Sequence, residues 1–510
     1  MSGLKPYPVH CTPRLRFPAK PSVSLRKKAL SGSLWASANQ FGQLGLQFIV
    51  GIILARLLSP ADYGLIALTG LFMSICATLS EGGFSVAVIQ RKNLTDDDCS
   101  TVFWFNLAAT LPVIAIIWFG APMMAAFYNE PQLVPMFRVM TVGFLLSAPS
   151  TVQYSRLERG MEFRKIMGIQ FPSFVIAAAV GITMAMRGYG AWSLIGMGLA
   201  KSMSSTLAIW MASDWRPSMV FRRQSFHEMF GYGVKTAMER VSNTIFENLI
   251  TIVVGRVFNA TEVGYYNRAK QYQQLPAHSI YSILIRVLLP MLSSVQGQKE
   301  RMRAAFSQSL RVATMASFPV LAGMLAVAEP MVLLLIGTKW LPCVPYLQIL
   351  CLSAMLLPLH AINVNAILSQ GHSGLSLKLN LTKQMIQVVA IAATYRHGVI
   401  AMLWSQVATS IIAVFINAWP NRTLMGFPMR SQWLIIAPYA ALSAVMALGV
   451  IWALPYFSPI PAWQLLGGCI TGILIYAAGL KLMRFSSHRE IANLAGDIPY
   501  AGKLIRAILS

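Results

Sequence analysis

Charge is what this 510-residue chain has least of: Asp, Glu, Lys and Arg make up 11% of it, against 56% hydrophobic residues. Soluble domains carry about 25% charge, so a water-soluble molecule of this size could not clothe its surface with so little. Intrinsic disorder, collagen and coiled coil are excluded as well, since each needs polar or periodic sequence. Acids are scarcest, 17 against 41 Lys and Arg, for a net charge of +24. The six cysteines (Cys11, Cys76, Cys99, Cys343, Cys351, Cys469) show neither CxxC nor His-coupled spacing, which leaves packing as their reading. No GxxxxGK[ST] loop and no HExxH occur, so NTP hydrolysis of that kind and metalloprotease chemistry are not expected. Gaps between apolar runs stay at or below about 20 residues, which leaves no room for a soluble catalytic domain. A membrane polymerase or ligase, the reading from a different functional class, would be expected to carry a large outer loop with catalytic groups.

What the chain has is apolar runs. A membrane-crossing helix needs about 20 apolar residues. Fourteen runs of that order follow one another: 34–57, 63–85, 101–127, 133–155, 167–187, 189–212, 231–257, 263–290, 307–328, 341–368, 375–395, 398–419, 432–455 and 462–483. Met331–Gly337 is too short to cross and is expected at the interface. The composition predicts an all-α polytopic membrane protein with cytoplasmic N and C termini. Residues 1–32, with Lys5, Arg14, Arg16, Lys20, Arg26, Lys27 and Lys28 and no acid, read as a disordered cytoplasmic tail; they lack the apolar core of a cleavable signal.

Alternating sides from that start tests the count. The inner loops then hold Arg91/Lys92, Arg156/Arg159/Arg164/Lys165, Arg216/Arg222/Arg223, Lys299/Arg301/Arg303 and Arg422/Arg430, as the positive-inside rule requires. The outer loops hold Asp62, Glu130 and Glu262 and few bases. This pattern explains the positive charge without nucleic acid.

The chain also repeats itself at an offset of 200 residues. Phe48–Gly64 reads FIVGIILARLLSPADYG, and Asn248–Gly264 reads NLITIVVGRVFNATEVG, so that Arg56, Asp62 and Gly64 fall on Arg256, Glu262 and Gly264. Arginine suits the outer headgroup level, and an acid followed by glycine suits a tight turn into the next helix. An even number of helices separates the copies, so both point the same way. Such a parallel repeat has its axis along the membrane normal and a substrate site between the halves.

Intramembrane ionisable residues are costly and generally face a cavity or a partner. The seventh run carries Lys235, Glu239, Arg240, Asn243 and Glu247 along one side. At the same offset, Asn39, Gln40, Gln43 and Gln47 face Glu239, Arg240, Asn243 and Glu247 in the repeat. Two readings stand: both stripes line one cavity, or the amides bond helix to helix. Run eight adds Arg268 and Lys270, with Tyr265, Tyr266, Gln271, Tyr272 and Gln273 as sugar-contacting candidates. The candidate cavity residues are Lys235, Glu239, Arg240, Asn243, Glu247, Arg268, Lys270, Asn39, Gln40 and Gln43. Asp96-Asp97-Asp98 after Thr95 fits a capped helix start better than a metal site.

Ala55–Gly64, the helix count and the repeated Arg256…Glu262-Val-Gly-Tyr-Tyr266 resemble the polysaccharide transporters of the MOP flippase superfamily, the Wzx-type exporters including the colanic-acid exporter subgroup. The resemblance covers about residues 30–485. It implies two six-helix bundles (33–212 and 231–420) joined by a cytoplasmic linker (213–230), then two further helices (421–485) and a cytoplasmic tail (486–510). It implies a bacterial inner-membrane flippase, not an enzyme, that moves undecaprenyl-diphosphate-linked oligosaccharide by alternating access for exopolysaccharide or lipopolysaccharide biosynthesis. No cofactor is expected, although proton or sodium coupling stays open, with Glu239 and Glu247 as protonation candidates. Membrane lipids, a polysaccharide polymerase and a chain-length regulator are the implied partners, and nucleic acid is not. A cation-coupled multidrug exporter and a peptidoglycan-precursor flippase of the same superfamily are the alternatives; the basic cluster argues against an organic cation.

Overall fold

A computed structural model of the protein describes residues 23–81, 94–223, 237–296 and 298–482. Among the described residues each of the fourteen apolar runs overlaps a helical rod, and no strand occurs. The rods are α1 (Val23–Leu57), α2 (Pro60–Glu81), α3 (Asp96–Tyr128), α4 (Leu133–Arg159), α5 (Phe163–Met186), α6 (Trp192–Ala212), α7 (237–257), α8 (Ala260–Ser294), α9 (Lys299–Ala326), α10 (Thr338–Ser369), α11 (Ser373–Thr394), α12 (Val399–Leu424), α13 (Met429–Tyr456) and α14 (Pro461–Leu482). Ten are long and apolar enough to cross a membrane by length and composition alone. The other four, α6, α7, α8 and α11, carry Lys201, the α7 stripe, the α8 amides and Lys378/Lys383. The tails before Val23 and after Leu482, Lys235 and Arg91/Lys92 lie outside the described residues.

One sequence expectation is corrected. Helix α1 begins at Val23 and not at the start of its apolar run; Leu25–Leu30 are good helix formers, and a basic turn can continue a helix beyond the hydrocarbon. Met331–Leu335 belong to a short helix, Ala328–Leu335, whose Ala328, Pro330 and Val332 are buried in protein. The acidic triplet is a cap: Thr95 and Asp98 form a reciprocal capping box, and Asp96 and Asp97 pair with Arg156 and Arg222. The described residues hold no cluster of His, Cys, Asp and Glu able to bind a metal.

The packing follows the repeat. Helix α5 lies against α1 and α6, and α4 against α3 and α6; on the other side α10 lies against α8, α9 and α12, and α11 against α12. Helix α13 packs on α9 and carries α14. The broadest contact between the two groups is α2 against α8. One hydrophobic core joins the groups at the end assigned to the outside: Ala55, Leu68, Tyr128 and Phe137 with Val254, Tyr266, Trp340 and Leu347. Towards the inner end the cores are separate. Cys99, Val102, Phe103, Val152 and Trp215 form one in the first group, and Leu288, Leu292, Phe306, Ile362 and Ile436 form another in the second. Among the described residues, the core that the two groups share lies at the outer end.

Candidate cavity and outer closure

Several helices carry polar faces that are exposed among the described residues. On α1, Gln40 and Gln47 are exposed, nearly opposite the exposed apolar side of Phe41, Ile49 and Ile53. A helix turns 100° per residue, so α1 presents two distinct exposed sides, one apolar and one polar. Closer to the outer end the polar side of α1 is covered, through Leu54, Ala55 and Leu58. Helix α7 repeats the arrangement: Glu239, Arg240, Asn243 and Glu247 are exposed, and Met238 and Ile245 are the exposed apolar residues on the other side. Helix α8 contributes Gln271 and His278, both exposed, with half-buried Gln274 and Ser282 on the same side.

The candidate residues divide accordingly. Gln40, Glu239, Arg240, Asn243 and Glu247 stand on open polar faces. Asn39 and Gln43 instead bond helix to helix: Gln43 Nε2 donates to Gln170 Oε1 (2.6 Å) and Asn39 Oδ1 (3.0 Å), and Asn39 Nδ2 donates to Gln170 Oε1 (3.1 Å). Gln170, on α5, was not singled out from sequence; a lone amide in an apolar run was the only signal. Lys270 Nζ donates to the Glu247 carbonyl (3.0 Å) and to Asn248 Oδ1 (3.3 Å). Helix α7 breaks at Asn248, and the lysine satisfies the carbonyl left free there. Arg268 is only 3% exposed. Its guanidinium lies 4.0 Å from the Tyr63 ring centre, 5.3 Å from Trp340 and 5.8 Å from Tyr272.

The repeated arginines, both exposed, are also inter-half clamps. Arg56 donates through Nε to the Leu335 carbonyl (2.9 Å) and through Nη2 to that of Leu334. Arg256 Nη1 donates to the Phe127 carbonyl (2.6 Å). Each thus caps the C-terminal turn of a helix in the opposite half, where unpaired carbonyls and the helix dipole favour a cation. Lys339 Nζ adds a bond to the Arg56 carbonyl (2.8 Å), and the buried Trp340 Nε1 donates to the Ala55 carbonyl (2.8 Å). Of the repeated acids, Asp62 caps its own helix and ties it to a neighbour, accepting from the Ser59 and Ala191 N–H groups (both 2.8 Å). Glu262 follows the cap Asn259, to whose side chain its N–H donates, and accepts from Tyr346 Oη (2.5 Å).

A second polar system, unforeseen in the sequence, lies wholly inside the second half. Asn363 and Gln432 exchange amide bonds (3.0 and 3.1 Å), Asn421 Nδ2 donates to Asn363 Oδ1 (2.7 Å), and His360 bridges Ser410 and Asn417 (3.1 and 3.2 Å). All four amide residues are buried, so this is interhelical bonding that fixes α10, α12 and α13.

Two groups of helices joined through one outer core, ten of them long and apolar enough to cross a membrane, define an all-helical multi-pass membrane fold. The profile of a family described as "Polysaccharide biosynthesis protein" matches residues 53–345. The chain is 25% identical over 466 residues to the succinoglycan biosynthesis transport protein ExoT of Rhizobium meliloti (strain 1021), covering 90% of this chain and 94% of ExoT. It is 24% identical over 409 residues to the lipopolysaccharide biosynthesis protein WzxC of Escherichia coli (strain K12), covering 78% and 82%. Among solved structures, the lipid II flippase MurJ in an inward closed conformation superposes with a TM-score of 0.72 at 14% identity, over 90% of this chain and 99% of MurJ. An inward-facing multidrug resistance MATE family transporter of the MOP superfamily gives 0.60 at 16% identity, over 75% and 94%. The chain belongs to the polysaccharide biosynthesis protein family and, with ten helices long and apolar enough to cross a membrane, is a multi-pass membrane protein.

Proposed function

We propose that the protein moves an undecaprenyl-diphosphate-linked oligosaccharide from the inner to the outer leaflet, by rocking of halves 33–212 and 231–420 about the linker 213–230. The observation that carries this reading is the pair of exposed polar faces, Gln40/Gln47 on α1 and Glu239/Arg240/Asn243/Glu247 on α7, which we read as lining one cleft that opens inward. An amphiphilic substrate needs that geometry: sugars and diphosphate enter between the halves while the polyprenyl chain stays in lipid. Arg240 and Lys235 offset the diphosphate charge in a low-dielectric cleft, where charge-assisted bonds are strongest. The amides of Gln40, Gln47, Asn243 and Gln271 suit sugar hydroxyls. Glu239 and Glu247 keep the anion from being held too tightly and are the groups through which a proton or sodium gradient would act.

The two further helices, 421–485, extend the second half, and a polymerase and chain-length regulator take over the product outside. The test is a leaflet-resolved measurement of lipid-linked oligosaccharide in a strain lacking the gene, beside complemented cells. Accumulation in the inner leaflet with loss of surface polysaccharide is the expected outcome, and the mass of the lipid names the sugar. Normal turnover of those lipids with heightened sensitivity to cationic drugs would transfer the cleft to the multidrug reading.

A further inference from the structure

Arg268 is a cation in an unusual position. Its guanidinium is enclosed by the rings of Tyr63 from the first half and Tyr272 and Trp340 from the second. Position Gly51 on α1 closes a further side, where a Cβ would lie 3.8 Å from Nη1. Nη1 donates to Gln271 Oε1 (2.8 Å), whereas Nε and Nη2 are buried with no acceptor in good hydrogen-bond geometry; the Tyr63 hydroxyl interacts with the guanidinium, and the Tyr272 hydroxyl is buried without a partner. No carboxylate pairs with Arg268 among the described residues. The equivalent position at the offset of 200 is Leu68, fully buried and apolar, so the repeat does not require a charge here.

Buried donors without acceptors are costly, and a buried cation without an anion more so. What lowers the cost is the aromatic box, and two of its sides, Tyr63 and Gly51, come from the opposite half. The box therefore exists only while the outer end is closed. Gln271, one turn along α8 and bonded to the guanidinium, is exposed on the cleft side, which places Arg268 just beyond the head of the cleft.

We propose that Arg268 is the latch that couples substrate to outward opening. A phosphate oxygen arriving at the head of the cleft takes the guanidinium Nε and Nη2 donors and draws the side chain out of the Tyr63–Tyr272–Trp340 box. The outer contact between the halves loses a cation shared by both, and the closed state gives way. This rests on the lipid-diphosphate reading above and adds how binding is converted into movement. A ligand shifts a conformational equilibrium only by its difference in affinity for the two states. A guanidinium engaged by rings in one state and free for phosphate in the other supplies such a difference.

The experiment uses the full chain in nanodiscs, with spin labels at Gln132→Cys and His397→Cys, both exposed on outer loops of opposite halves, in a Cys11→Ser, Cys469→Ser background. Undecaprenyl diphosphate is compared with undecaprenol and with inorganic diphosphate in the buffer. The diphosphate lipid is expected to raise the ratio of long to short label distances roughly tenfold, a usual size for allosteric coupling. Arg268→Gln abolishes that response while the lipid still binds. Tyr63→Leu lengthens the distance without lipid; Trp340→Phe, which keeps the ring, is the second variant should Tyr63→Leu not fold. A response of Arg268→Gln equal to that of the parent would overturn the latch and leave the transport reading standing. An equal response to undecaprenol would overturn the anionic trigger. Silence of the parent with bound diphosphate lipid would overturn both readings together. A response to inorganic diphosphate supports the latch and makes the headgroup alone the trigger.

Discussion

Gly64 and Gly264 each lie against the start of the other's helix. A Cβ on Gly64 would run into the Ala260 carbonyl, and one on Gly264 into the Pro60 carbonyl. The two contacts are the same contact seen from either half, because the offset of 200 carries Pro60 to position 260 and Gly64 to 264. A repeat visible only as matched letters is thus a local two-fold relation where α2 and α8 cross.

Neither glycine has a positive φ to explain it; close backbone approach is the whole requirement. Gly64→Ala or Gly264→Ala should force α2 and α8 apart and weaken the outer closure by about 1–3 kcal/mol, the usual cost of overpacking. Labelling of a Val263→Cys thiol by a membrane-impermeant maleimide added outside should rise on the order of tenfold, since ~1.4 kcal/mol corresponds to that factor. Unchanged labelling in both alanine variants would show that the crossing relaxes at no cost to closure.

The clamps make a different prediction, because they hold the halves by charge and not by fit. Arg56→Ala frees the Leu334 and Leu335 carbonyls, and Arg256→Ala frees that of Phe127. Each should favour the open outer end by about 0.3–1 kcal/mol, as for a cation lost from an exposed helix C-terminus. Lysine should restore Arg256, which uses one nitrogen, better than Arg56, which uses two. Distances between the outer labels at 132 and 397 report this directly; equal rescue at both positions would contradict the two-bond geometry.

Helix positions and the repeat were legible in the sequence because both are local: an apolar run of sufficient length has few alternatives in a bilayer, and Arg56, Asp62 and Gly64 recur without a gap. The Thr95 cap was legible for the same reason. What Arg56 touches was not, since its partners lie nearly 280 positions away. Polar character alone likewise did not separate Gln43, bonded to Gln170, from Gln47, open to the cleft; that distinction depends on which neighbour α5 presents. The rings around Arg268 come from three helices, and nothing in the spacing of Tyr63, Tyr272 and Trp340 foretells their meeting.

Amides that bond helices and amides that face the cleft should separate under mutation. Gln43→Leu removes both of its bonds and leaves Gln170 with one, so thermal stability in detergent should fall by about 0.5–2 kcal/mol. Gln40→Leu and Gln47→Leu should leave the melting temperature within a degree or two and lower surface polysaccharide in complemented cells. A stability loss in Gln40→Leu as large as in Gln43→Leu would count against an open polar face on α1.

Lys270 and Arg240 supply the corresponding test for the charges. Lys270 Nζ sits on the Glu247 carbonyl where α7 breaks, so its first task is to satisfy a group that would otherwise cost about 1–3 kcal/mol. Lys270→Met should speed hydrogen exchange in 248–257 and lower the melting temperature, with little change in the affinity for undecaprenyl diphosphate. Arg240 is exposed on the cleft side of the same helix, so Arg240→Gln should do the reverse: stability held, affinity for the diphosphate lipid reduced roughly tenfold, the scale of one charge-assisted bond. If Lys270→Met weakened lipid binding as much as Arg240→Gln without loosening α7, the lysine would be a ligand to the substrate and the break in α7 would need another partner.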